Sequence, residues 1–206
     1  MKRTKIAAAN WKMYKTPQEA EDYFEKWVAP KGAGDGLEVV FFPSTILLDC
    51  VSMHIKGDGV EFGAQNIHFE KEGAYTGETS ALPLLALGAK YALVGHSERR
   101  TLFGETDMAV AKKVRMAQTV GLVPMLCIGE TLEERQAGQT MAVLERQILA
   151  ALGERVEGAD LVIAYEPVWA IGTGQVATLE QVSEVHSSLR KFLLEKFPTG
   201  WASAVS

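Results

Sequence analysis

Leu161-Val162-Ile163-Ala164-Tyr165-Glu166 is the stretch that decides the fold. Five apolar residues run without a break and end on a carboxylate. Such a run suits a strand of a parallel sheet, covered by other layers. The plan recurs along the chain. Lys5–Asn10 ends on Asn10, with Lys12 just beyond. Val60–Gln65 ends on Gln65 and Asn66. Lys90–Val94 leads into Gly95-His96-Ser97-Glu98. Leu37–Phe42 and Leu122–Ile128 complete six strand candidates.

Amphipathic segments fill the intervals. Thr16, Pro17 and Glu19 stand as N-cap, N1 and N3 of a helix over Pro17–Val28. Ser44 is placed to cap Thr45–Ile55. Glu70–Thr79 reads as a glycine-rich polar loop and Leu82–Leu87 as a short helix. Asp107–Val120 reads as a helix closed by Gly121, and Leu132–Leu152 as one long helix. Leu179–Phe197 closes at Pro198. Strands alternating with helices give an α/β fold, either an open doubly wound sheet or a closed barrel. An open sheet concentrates its ligand at one switch point. A (β/α)8 barrel carries chemistry at the carboxyl ends of several strands. Polar residues after the first, third, fourth and sixth strands favour the barrel, as a single domain over residues 1–206 with about six βα units legible.

Composition narrows the function classes. The chain has 206 residues, 47% hydrophobic and 23% charged, with a formal net charge of −5. That balance is ordinary for a globular protein and lacks the basic footprint of a nucleic-acid binder. No apolar run reaches the roughly 20 residues of a membrane span. The start, Met1-Lys2-Arg3, is basic, but the apolar run Ile6-Ala7-Ala8-Ala9 is shorter than a signal-peptide core, so a cytoplasmic chain is expected. Cys50 and Cys127 read as buried free thiols. His54, His68 and His186 have no carboxylate or cysteine at ligand spacing in the sequence, and no metal is expected. Gly172-Thr173-Gly174 lacks a third glycine and follows a late strand, which argues against a dinucleotide site.

The strand-end residues suggest acid–base chemistry. Glu166 projects from an apolar strand end, where desolvation favours a general base; a loop carboxylate or N-cap is the plainer alternative. His96 precedes a short helical turn, whose N-terminal dipole disfavours imidazolium; a neutral ring can donate to a carbonyl oxygen, and a satisfied core histidine is the alternative. Lys12 is a candidate point charge for phosphate or enolate oxygen, or else a surface lysine. Glu98 can orient Lys12 or pair with Arg99 or Arg100. Gly95-His96-Ser97-Glu98 is not a nucleophile elbow, so Ser97 is discounted as a nucleophile. Pro167-Val168-Trp169-Ala170-Ile171-Gly172-Thr173-Gly174 is apolar for a loop and ends in small residues, as a closing lid would; a loop packed on the barrel is the alternative.

Three segments together resemble the triosephosphate isomerase family: Asn10-Trp11-Lys12-Met13, Gly95-His96-Ser97-Glu98-Arg99-Arg100, and Ala164-Tyr165-Glu166-Pro167-Val168-Trp169-Ala170-Ile171-Gly172-Thr173-Gly174. Gly63-Ala64-Gln65-Asn66, Gly73-Ala74-Tyr75-Thr76-Gly77-Glu78 and Cys127-Ile128-Gly129-Glu130 support it. The resemblance implies a TIM barrel that interconverts dihydroxyacetone phosphate and glyceraldehyde 3-phosphate without a cofactor. It implies Glu166 as the base, His96 as the neutral electrophile, and Lys12 with Asn10 at the enediolate and phosphate. It implies Glu98 as support for Lys12, a phosphate contact from the Gly172 amide, and a homodimer with Thr76 reaching the partner's site. A closed barrel of this kind takes about 250 residues. The seventh and eighth strands, and the phosphate-binding turns after them, are not found in the sequence. The expectation is a sheet with two exposed edges and a weakened phosphate grip, the alternative function being a non-catalytic chain.

Overall fold

Burial of both sheet faces explains the unbroken apolar runs. In the computed structural model, which describes residues 3–55 and 57–206, Val39 and Phe41 point to the helical layer while Val40 and Phe42 point to the barrel interior. Each of the two phenylalanines is fully buried, contributing roughly 1.5–3 kcal/mol. The strands are β1 (Lys5–Asn10), β2 (Leu37–Phe42), β3 (Val60–Ala64), β4 (Tyr91–Val94), β5 (Val123–Ile128) and β6 (Val162–Tyr165). The helices are α1 (Pro17–Lys26), α2 (Leu48–His54), α3 (Ala81–Ala86), α4 (Ser97–Phe103), α5 (Asp107–Val120), α6 (Leu132–Gln136), α7 (Thr140–Leu152), α8 (Leu179–Lys196) and α9 (Thr199–Ala204). Short 3-10 turns cover Thr45–Leu47 and Val168–Ala170.

All neighbours in the sheet are parallel, in the order β1-β2-β3-β4-β5-β6. The sheet curls into a partial TIM barrel. Ser206 registers the curl: its carbonyl accepts from the Ile163 amide of β6 at 2.9 Å, and its hydroxyl lies 3.4 Å from the Thr4 carbonyl ahead of β1. A cavity of about 610 Å³ separates the two edge strands, lined by Ile6 and Ala8 on one side and Val162 and Ala164 on the other. Three apolar clusters surround the sheet. One packs Trp11, Phe24, Phe41 and Phe62 under α1–α3. A second packs Leu126, Ile128, Leu144 and Phe192 under α5, α7 and α8. The third, with Phe42, Tyr91, Leu93 and Cys127, fills the interior.

Local signals account for most helix ends. Thr16 and Glu19 form a reciprocal capping box, and Gly121 closes α5 with φ of 96°. Three expectations need correction. Leu132–Leu152 is two helices, because Gly138 takes φ of 70° between them and turns the chain. Ser44 starts a 3-10 turn and makes no side-chain capping bond. Cys50 is only partly buried, whereas Cys127 is buried; both are free thiols. Helix α9 was not foreseen: Ala202 and Val205 bury against α8, and Arg190 donates to the Ala202 and Val205 carbonyls. The basic start at Met1-Lys2 lies outside the described residues.

Candidate active site

The ends of β1, β3, β4 and β6 deliver polar side chains to the same mouth, and the backbone is bent to do it. Lys12 takes φ of 52°, a left-handed conformation that costs a residue with a Cβ about 1–3 kcal/mol. Two polar side chains hold it. Asn10 Oδ1 accepts from the Lys12 amide at 2.9 Å, and Gln65 Nε2 donates to the Lys12 and Phe42 carbonyls at 2.8 Å each. The turn sends Lys12 Nζ to Glu98 Oε1 at 2.6 Å. Of the partners open to Glu98 in the sequence, the fold selects Lys12.

His96 is the N-cap of α4, and its Nδ1 accepts from the Glu98 amide at 3.2 Å. A ring nitrogen that accepts a backbone hydrogen bond carries no proton, so the ring proton sits on Nε2. Nε2 faces Glu166 Oε1 at 3.2 Å, and the Ser97 amide donates to Glu166 Oε2 at 3.1 Å. Ser97 thus serves through its amide, a contribution that reading side chains alone overlooked. Beneath the carboxylate lies Cys127, whose thiol is pushed well up by burial and, second, by the charge of Glu166. A cavity of about 300 Å³ opens beside Glu166 and Ser97, lined also by Arg100, Asp107, Arg146 and Gln147.

Backbone proximity seats Glu166. Its amide donates to the Ile128 carbonyl at 2.7 Å, and a Cβ at Gly129 would stand 1.8 Å from the Glu166 carbonyl oxygen. No rotamer relieves that overlap, because both atoms belong to backbone or Cβ. Gly129→Ala is expected to cost about 1–3 kcal/mol, several degrees of Tm, and to move Glu166 off His96. Thermal melts beside turnover check this; an unchanged Tm with full turnover would refute it.

The loop after Glu166 is pinned at one end and exposed at the other. Trp169 is buried, its Nε1 donating to Glu130 Oε1 at 3.0 Å. Tyr165 and Arg135 reach the same oxygen, each at 3.1 Å, and the Arg135 guanidinium stacks 4.9 Å from the Trp169 ring. Burial, then the charge of Glu130, pushes the Tyr165 phenol up. Glu130 is fully buried and was noticed only as part of a supporting segment. Pro167, Val168, Ala170 and Ile171 are half-buried around Trp169, while Gly172, Thr173 and Gly174 are exposed. Gly172 and Gly174 take φ of 69° and 78°, which suits glycine. Gly172 and Thr76 stand apart from the Lys12–Glu98–His96–Glu166 cluster, exposed to solvent. Tyr75, next to Thr76, packs against His68 with ring centroids 4.2 Å apart and planes tilted by 33°.

One histidine has neighbours that its place in the sequence did not suggest. His54 does have a carboxylate and a cysteine within ligand distance: Glu21 Oε2 lies 2.7 Å from its Nε2, and Cys50 sits one helical turn before it. Partial burial, reinforced by Glu21, pushes the Cys50 thiol up to about 11.

A parallel sheet in sequential order, curled and gathering polar side chains at the carboxyl ends of its strands, defines a protein of the (β/α)-barrel class. Comparison with known proteins narrows the class. The family model described as Triosephosphate isomerase matches residues 5–206. The triosephosphate isomerase of Bdellovibrio bacteriovorus is 51% identical over 189 residues, covering 92% of this chain and 78% of that protein. That of Carboxydothermus hydrogenoformans is 47% identical over 197 residues, covering 95% and 78%. That of Aquifex aeolicus is 44% identical over 195 residues, covering 94% and 79%. The chain belongs to the triosephosphate isomerase family.

Proposed function

We propose that this chain interconverts dihydroxyacetone phosphate and D-glyceraldehyde 3-phosphate by proton transfer through an enediolate. The observation that carries the reading is the pairing of His96 Nε2 with Glu166 Oε1 at 3.2 Å, a proton donor facing a carboxylate in one mouth. A substrate entering between them separates the pair. Glu166 then takes the proton from the carbon beside the carbonyl and returns it to the neighbouring carbon. His96 Nε2–H donates to the oxygen that gathers charge. Lys12, held by Asn10 and Glu98, supplies positive charge to the enediolate and phosphate. Closure of Pro167–Gly174 excludes water, and the Gly172 amide holds phosphate. The reaction neither oxidises nor reduces the substrate, so the reading assigns no cofactor.

The test is isomerisation of glyceraldehyde 3-phosphate in D2O. Turnover with deuterium on carbon in the product is the expected result. A folded chain without turnover, or isomerisation without deuterium uptake, overturns the reading.

The proposal extends to a homodimer in the cytoplasm. Met13, Tyr14, Leu102 and Phe103 are exposed large apolar residues near the mouth, and the loop bearing Thr76 is the proposed contact with the partner's site. Free thiols at Cys50 and Cys127 suit a reducing compartment. No described helix is long and apolar enough to cross a membrane. Sedimentation is expected to give a dimer at micromolar concentration, and Phe103→Glu a monomer. A wild-type chain that sediments as a monomer removes the dimer proposal.

A further inference from the structure

On the outer face of the barrel, away from the mouth, α1 and α2 bring three different side chains to one point. Cys50 and His54 are four residues apart on α2, a spacing that puts both on one face of the helix. Glu21 projects from α1 between them. Glu21 Oε1 is 3.2 Å from Cys50 Sγ, and Glu21 Oε2 is 2.7 Å from His54 Nε2. One ligand atom from each residue lies within 4.8 Å of the other two. The His54 ring is set by stacking on Phe24, with centroids 5.1 Å apart and planes 7° from parallel.

We propose that Glu21, Cys50 and His54 form a binding site for a divalent d-block cation of the zinc type. Tetrahedral zinc bonds of about 2.0–2.3 Å place neighbouring ligand atoms about 3.3–3.6 Å apart. Cys50 Sγ and His54 Nε2 lie 3.2 and 2.7 Å from the Glu21 oxygens, closer than that range, so the side chains spread by several tenths of an ångström to admit the ion. Thiolate, imidazole and carboxylate form a donor set for zinc; magnesium and calcium take oxygen ligands. His54 and Glu21 side chains remain 27% and 37% exposed, which leaves an entry path and room for water as fourth ligand. Binding exchanges the thiol proton for the metal: the S–H bond breaks, the S–metal bond forms, and the proton leaves to solvent. The bound ion ties α1 to α2 outside the proposed catalytic machinery.

The structural alternative is that Glu21 merely accepts hydrogen bonds from its two neighbours. Titration of the whole chain with Co2+ under reducing conditions separates the two. The expected result is a near-ultraviolet thiolate-to-cobalt band with visible bands of four-coordinate cobalt, saturating at a single equivalent and lost on adding Zn2+ but not Mg2+. Cys50→Ser removes the near-ultraviolet band. His54→Ala and Glu21→Gln each weaken Co2+ binding, by about 100-fold or more, beyond the usual effect of an outer-shell change. Zn2+ also raises the Tm of the wild type and not of Cys50→Ser. If Cys50→Ser fails to fold, the other two variants carry the test. No thiolate band at millimolar Co2+, a band that survives in Cys50→Ser, or equal affinity in His54→Ala and Glu21→Gln overturns the proposal.

Discussion

Glu166→Gln is expected to lower kcat by about 10³–10⁴-fold, near the upper end of what a positioned base contributes. KM should change little, because the side chain holds a proton route and not the phosphate. The amide keeps the shape of the carboxylate but has one oxygen, where the carboxylate offers Oε2 to the Ser97 amide and Oε1 to face His96 Nε2 at 3.2 Å. One donor loses its partner, so a drop of a few degrees in Tm is expected beside the large loss of rate. Glu166→Asp separates position from charge. It keeps the base and shortens its reach by one carbon, and a displacement of that order costs about 100-fold. The expected ranking is wild type, then Asp, then Gln. A Gln variant within tenfold of wild type would show that another group takes the proton.

Lys113→Met is expected to have the largest effect on stability, about 3–5 kcal/mol. Lys113 and Glu105 side chains are only 6% and 4% exposed. Lys113 Nζ is bonded to Glu105 Oε1 and, at 2.7 Å, to Asn66 Oδ1 beyond β3. Arg99 Nε reaches Glu105 only at 3.4 Å, and Glu105 Oε2 has no hydrogen-bond partner among the described residues. Removing the lysine leaves a buried carboxylate nearly alone, whereas removing both charges does not. Lys113→Met with Glu105→Gln should therefore be more stable than Lys113→Met by itself. Urea unfolding of the two variants at neutral pH decides it. A single-variant loss below about 1 kcal/mol would mean that water or Arg99 already carries Glu105.

These two expectations differ in how readable they were. Glu166 announces itself, because a carboxylate closing a fully apolar run is locally unusual, and the same rule exposes Asn10, Gln65 and His96. Lys113 does not. It lies within the periodic run of α5, and nothing nearby in sequence says that its ammonium meets Glu105 and Asn66. Gly138 shows the same limit in miniature. Apolar spacing continues through it from Leu132 to Leu152, yet the left-handed turn at that one glycine makes two helices.

The amino-acid sequence by itself determined strand direction, strand ends, most helix caps and the family, because periodicity, capping chemistry and motif order are local or ordered along the chain. Tertiary structure decided which of those ends meet. Lys12 pairs with Glu98 across 86 positions because the sheet curls, and His54 meets Glu21 across 33 because α1 packs on α2. A local pattern specifies which face of an element is apolar. The distance between two polar groups on different elements depends on the curl of the sheet and the packing of every element between them.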